Sequence, residues 1–355
     1  MRETNFRLPT ADCRLRFRAR GARHFLQSKI GNRKSAILAL LLAGLAGCQS
    51  QKNASLVVYS AGPEELASWL CGEFEKQSGI PTKLFSATTG ELMAKLEAEK
   101  FRPQADVVIL ASPTAAEVLK SEGRLAPLPK SLPTRAEWTD AAGVYAGTAA
   151  SALGIAVRRD AGLPSLEWSD VFAGRIPGAM MMPSPSQSGT SAEFVIAFDL
   201  ARGEPFWQAL KQAKQNGLQI SGPNSQALTG LVLRSHEAVL AAADYLVFRQ
   251  IEKGEPLVMK FPASGVPVIP RPIAILKDAR NPEAARRFVE FCFSRPAQER
   301  IAATHLIPAD QAVPLSAIRQ QAGAVRAMLY DPARALEAQK RVLQRFQDEV
   351  EKGAQ

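Results

Sequence analysis

The sequence predicts an α/β fold of parallel sheets flanked by helices, and a unit that recurs along the chain carries that prediction. Three short apolar runs, Leu56–Tyr59, Thr82–Phe85 and Ala105–Leu110, each end in a Ser- or Thr-bearing turn that opens an amphipathic stretch. Strand–helix alternation at this spacing is the pattern of a doubly wound parallel sheet. A fourth copy comes much later: Ala179–Met182, the loop Pro183-Ser184-Pro185-Ser186-Gln187-Ser188-Gly189-Thr190-Ser191, then an amphipathic run from Glu193 to Ala201. At 355 residues the chain is long enough for two domains or lobes.

The elements follow in order. After the first strand, Ser60-Ala61-Gly62-Pro63 leads into a helix through Leu66, Leu70 and Phe74 that Gly79 stops. After the second, Thr88 and Glu91 have the spacing of a capping box, in which each side chain bonds the other's backbone N–H. After the third, Ser112 is placed as N-cap and Pro113 as the first helical residue. Val144–Thr148 and Leu153–Val157 read as two strands crossing between lobes, and Trp168–Phe172 as a short helix. Phe206–Gln215 is helical, Gly222–Gln226 a turn feeding a helix, and Glu237–Ala243 a strand ending at Asp244-Tyr245. Lys260–Ile275 holds four prolines and is expected as extended chain and edge strand, because proline cannot donate to a ladder. Pro282–Phe293 is a periodic helix, and the chain from Val325 onward is helical and charged.

Charge excludes one class. The net charge is +10, but residues 1–48 hold ten Lys/Arg and two Asp/Glu, which leaves 34 basic against 32 acidic residues beyond them. The basic character belongs to the leader, so a nucleic-acid-binding face is not expected. Within the leader, Lys29, Arg33 and Lys34 precede a short apolar run, Ser35–Ala46, which ends in Leu45-Ala46-Gly47-Cys48. That run is short for a bilayer span and suits an export signal. Residues 49–55 are polar and read as a tether. Besides Cys13 and Cys48 there are only Cys71 and Cys292, both in apolar helical patterns, and two buried free thiols are expected rather than a disulfide.

In doubly wound sheets, ligands bind beyond the C-terminal ends of the strands. Ser60, Ala61, Thr88, Thr89 and Ser112 are expected there, with Ser186, Ser188, Gly189 and Thr190 from the fourth unit. Hydroxyls beside free N–H groups at helix starts suit an anionic group. Thr190 and Glu193 also fit a capping box, which would leave Ser186, Ser188 and the Gly189 backbone to face the ligand.

The order of these pieces resembles that of extracellular solute-binding lipoproteins of ABC importers. It is most similar to the cluster that holds ferric-iron-, sugar-phosphate- and 2-aminoethylphosphonate-binding proteins. The matching pieces include Val58-Tyr59-Ser60-Ala61, Ser86-Ala87-Thr88-Thr89-Gly90-Glu91-Leu92, Ala105-Asp106-Val107, Trp168-Ser169-Asp170, the Pro183–Thr190 loop and Lys253-Gly254-Glu255-Pro256. The resemblance implies a two-lobed periplasmic-binding-protein fold of type II, each lobe a mostly parallel sheet flanked by helices. One lobe would comprise 56–145 with about 263–300, and the other 146–262 with about 301–355. It implies a monomer that delivers its solute to a permease in the inner membrane. Leu45–Cys48 resembles a lipobox, which implies a lipid on Cys48 and an anchored protein outside the cytoplasm.

Two ligand classes stay open. A small phosphonate or phosphate ester suits the hydroxyls and helix starts, with Asp244 free to neutralise an ammonium group and Arg271 and Arg249 as candidate cations. Ferric iron as cargo would use Tyr245 and Asp244, although the Tyr-Tyr pair of the ferric branch reads Asp244-Tyr245-Leu246 here. No resident metal or cofactor is expected. His236 and His305 are isolated in sequence. An enzyme is disfavoured: Gln187-Ser188-Gly189 lacks the Gly-x-Ser-x-Gly elbow, and neither a phosphate-binding Walker loop nor a Gly-x-Gly-x-x-Gly motif occurs.

Overall fold

The computed structural model describes residues 55–163, 166–328 and 330–352. The expected leader with Cys48, and all of the tether except Ser55, lie outside the described residues. No helix among the described residues is long and apolar enough to cross a membrane.

In the first lobe, β1 (Leu56–Ser60) pairs in parallel with β2 (Thr82–Ser86) and β3 (Val107–Ile109). They alternate with α1 (Glu64–Ser78), α2 (Thr89–Ala98) and α3 (Pro113–Ser121). The local signals act as expected. Gly79 ends α1 with φ 71°, a conformation that glycine adopts without steric cost. Thr88 and Glu91 form the reciprocal capping box. The Ser112 hydroxyl accepts from the Ala115 N–H at 3.0 Å, with Pro113 in the first turn. β4 (Leu125–Ala126) follows.

In the second lobe, α4 (Trp168–Phe172) precedes β6 (Met180–Met182), α5 (Gly189–Arg202) and α6 (Glu204–Gln215). Next come β7 (Leu218–Ile220), α7 (Asn224–Val232), β8 (Ala238–Ala243), α8 (Asp244–Glu252) and β9 (Leu257–Lys260). β6 lies parallel to β7 and β8. The buried rings of Trp168, Phe194, Phe198 and Phe206 fill the space between α4, α5 and α6.

Two long strands join the lobes. The pair of strands expected between Val144 and Val157 is one continuous strand, β5 (Tyr145–Arg158). Its middle, Thr148-Ala149-Ala150-Ser151-Ala152, has weak strand preference, and the ladder to β10 (Val266–Leu276) overrides it. Tyr145–Ala152 pair with β10, whereas Leu153–Arg158 pair with β8 and β9. β10 is not an edge strand: it lies between β3 and β5 in the order β2-β1-β3-β10-β5-β8-β6-β7. Its prolines are tolerated because the paired stretches are staggered. β3 pairs only with Ile273–Ile275, so Pro270 lies where β5 alone supplies a ladder, and Pro272 needs only its carbonyl on the β3 side, where it accepts from the Leu110 N–H at 2.8 Å. The register also slips at Arg271/Pro272.

The chain ends with α9 (Pro282–Cys292), α10 (Arg295–Ala303), β11 (Ile307–Pro308), α11 (Ala317–Gln321) and β12 (Ala327–Met328). The charged C-terminal helix, α12 (Pro332–Phe346), starts later than Val325, because β12 first pairs with Val266–Pro267 of β10. α12 packs on α5 of the second lobe and on α3 of the first. Cys71 and Cys292 are both buried and free. Burial pushes the Cys71 thiol up to about 12, so it is inert at neutral pH.

Candidate ligand-binding cleft

A cleft of ≈ 540 Å³ opens between the two lobes at the C-terminal ends of their strands. First-lobe residues Ala61, Gly62, Thr88, Thr89 and Ala111 line one wall, and Ser188, Gly189, Thr190, Asn224 and Ser225 line the other. Tyr245 and Arg271 complete it. The starts of α1, α2, α5, α7 and α8 all reach this space. Each helix start presents N–H groups and the positive end of a dipole to this space, which Glu64 and Glu91 also line.

Arg271 gives the cleft its fixed cation. It sits at the slip in β10 and is 3% exposed. Its Nη2 donates to the Ala61 carbonyl at 2.8 Å, and the guanidinium lies 5.6 Å from the Tyr245 ring centroid. Among the described residues no carboxylate forms an ion pair with it, whereas Arg249 pairs with Glu65 at 3.0 Å. A buried cation without a protein counter-ion is costly to desolvate.

The hydroxyls divide by role. Thr88 caps α2, and its N–H and hydroxyl hold the Glu91 carboxyl below its usual range. The Thr89 hydroxyl accepts from the Ala111 N–H at 3.3 Å. At α5 the cap is Ser188, which accepts from the Ser191 N–H at 3.1 Å, and not Thr190. The reason is register. The helix begins at Gly189, so Thr190 falls in its first turn, where its hydroxyl meets Ser188 at 3.1 Å and the Asn224 amide at 2.8 Å. Glu193 therefore has no cap to close and turns to Ser112, Thr114 and Tyr330.

Four expected residues lie off the lining. The Ser60 hydroxyl accepts from the Gly62 N–H at 3.1 Å beneath the β1 crest. Ser112 bonds Glu193. Ser186 pairs with Ser184 at 2.8 Å and lines a separate cavity of ≈ 430 Å³ beside Lys340 and Gln347. Asp244 is fully buried and bonds Arg319 at 2.6 Å and the N–H groups of Ala152 and Tyr245 at 2.8 and 2.7 Å. Burial pushes its carboxyl up, and Arg319 with the two N–H groups opposes that. These bonds take up the charge that an ammonium group or an iron ion would have used.

Sequence reasoning had not placed Asn224 and Ser225 at the site. The signal was present: Leu218–Ile220, the Gly222-Pro223 turn and α7 repeat the strand–turn–helix unit once more. Asn224 donates to Thr190, and its buried Oδ1 has no hydrogen-bond partner among the described residues. His236 bonds the Ala227 carbonyl at 2.7 Å, and His305 lies between Ser316 and Glu252, so both serve packing. Among the described residues no group of three or more His, Cys, Asp or Glu could hold a metal ion.

Two lobes joined by crossing strands, with a polar cleft at facing helix starts, have the architecture of a two-lobed solute-binding protein. The fold matches the fructose-6-phosphate-bound periplasmic binding protein AfuA from Actinobacillus pleuropneumoniae: TM-score 0.74, 20% identity, 84% of this chain and 98% of that one. It matches a ferric binding protein from Campylobacter jejuni with TM-score 0.74 and 19% identity over 83% and 99% of the two chains. In sequence, the phosphoglycerate transport regulatory protein PgtC of Salmonella typhimurium is 23% identical over 308 residues, 80% of this chain and 72% of that protein. Residues 56–306 match the bacterial extracellular solute-binding protein family, and the chain belongs to that family.

Proposed function

We propose that this solute-binding protein captures a small oxyanion-bearing solute, of the phosphonate or phosphate-ester type, between its lobes and releases it to the permease of an ABC importer. The observation that carries the reading is Arg271, a buried guanidinium without a carboxylate partner among the described residues, set among helix starts and hydroxyls. Arginine, hydroxyl and backbone N–H groups together are the usual recognition set for phosphate oxygens. The volume of ≈ 540 Å³ suits an organic molecule better than a bare ion. The fold is shared with a protein solved with fructose 6-phosphate, which agrees with this reading.

Ferric iron is the second reading, favoured by the Tyr245 phenol in the cleft and by fold likeness to a ferric binding protein. It has less support. Of the four tyrosines, Tyr59, Tyr145 and Tyr330 are bonded to Glu99, Glu117 and Glu193 away from the cleft, which leaves one phenolate for a hard cation. A thermal-shift panel tests the choice. Stabilisation by 2-aminoethylphosphonate or a sugar phosphate, with none from ferric citrate, supports the first reading, and the reverse result replaces it with the second.

The reading includes export and anchoring. A lipid on Cys48 and the tether 49–55 would hold the binding unit, a monomer, at the outer face of the membrane next to its permease.

A further inference from the structure

We propose that Glu193 is a positioning residue for solute capture, a carboxylate of the second lobe that holds the ligand-facing end of α5 against the first lobe. Glu193 lies in α5, four residues after Gly189, so the two share one face of the helix. That face lies on the first lobe. A Cβ at Gly189 would come within 3.2 Å of Thr89, and Glu193 accepts hydrogen bonds from Ser112 and Thr114 at the start of α3. Its Oε1 takes the Ser112 hydroxyl and the Thr114 N–H at 3.2 Å. Its Oε2 takes the Thr114 hydroxyl at 3.0 Å and the Tyr330 hydroxyl at 2.7 Å, just before α12. One buried carboxylate thus joins both lobes and the C-terminal segment.

This contact explains why Ser112, expected at the ligand, is turned from it. The start of α3 already has an acceptor, the Glu193 carboxyl, supplied by the protein. Ala111, which lines the cleft, and Thr89, which accepts its N–H, are held by the same junction. With Glu193 fixed in the interior, the two lobes are held together at this point. The exposed Glu65–Arg249 pair is a further contact between them, and it is weak enough to release.

The test measures the distance between lobes by pulsed electron resonance on the full chain. Spin labels go at Phe101→Cys in the first lobe and Leu233→Cys in the second, positions 99% and 70% exposed. The signal from the parent's own cysteines is measured separately and subtracted. The parent is expected to give one narrow distance. Glu193→Gln, which keeps the size of the side chain but disrupts the four-donor junction, is expected to raise a longer-distance population about tenfold. Tyr330→Phe is expected to raise it less. A lowered melting temperature with an unchanged distance distribution in both variants overturns the proposal, because Glu193 then serves stability alone. If Glu193→Gln fails to fold, Tyr330→Phe decides by the same criterion.

Discussion

Gly189 and Thr89 meet across the cleft: a Cβ built at Gly189 would lie 3.2 Å from both Cβ and Oγ1 of Thr89. The start of α5 approaches the start of α2 closely because position 189 has no side chain. A larger residue there props the lobes apart and weakens every contact that needs closure. Gly189→Val is expected to lower solute affinity by about tenfold or more, which corresponds to at least ~1.4 kcal/mol. Calorimetric titration checks this. Unchanged affinity would mean that closure does not bring these two residues together.

Ser188 caps α5, and Ser188 and Thr190 both line the cleft. Ser188→Ala with Thr190→Ala removes the α5 cap, at about 1 kcal/mol of stability, together with two hydroxyls on the cleft wall. The expected outcome is a modest fall in melting temperature and a larger loss of affinity. A fall in melting temperature alone would restrict these hydroxyls to capping.

The C-terminal helix is pinned by a titratable pair. Asp199 of α5 bonds Arg341 of α12 at 2.6 Å and the Trp207 indole at 2.7 Å. Burial raises its carboxyl pKa, but Arg341 and Trp207 outweigh that and hold it below its ordinary value of 3.8. A lowered native pKa means that the stabilisation is present above the ordinary value and is lost as pH falls below it. Asp199→Asn is therefore expected to melt below the parent at pH 7, with the gap closing under about pH 4. Melting curves across pH read it directly. A gap independent of pH would show that the charge contributes nothing.

Cys48→Ser tests anchoring. If Cys48 carries the lipid, the variant leaves the membrane fraction while its solute affinity is unchanged. Persistence of the variant in washed membranes would remove the lipobox reading.

The fold was legible because local signals and global topology agree. Thr88 with Glu91, Ser112 with Pro113, and Gly79 each act within one helix turn, and a short window of sequence contains them. Misreadings arose where distant partners decide. The prolines of β10 argued for an edge, yet staggered neighbours let Pro270 and Pro272 sit in mid-sheet. Asp244 was open to a ligand in sequence, but Arg319, 75 positions on, takes its charge. Ser112 was lost to Glu193, 81 positions on, for the same reason. Arg271 was one candidate among several, because nothing near it in sequence shows that a slip in register brings it to the crest of β1.

In the proposed function, Arg271 and the surrounding helix starts hold an oxyanion. Isothermal titration of the parent and of Arg271→Met with 2-aminoethylphosphonate and with a sugar phosphate tests it most directly. The parent is expected to bind one of these saturably at 1:1, with a loss of roughly tenfold to a hundredfold in the variant, since hydrogen bonds to a charged group are removed. Equal affinity in both proteins would contradict it, as would no binding of either compound together with a Tyr245-dependent ferric–phenolate colour.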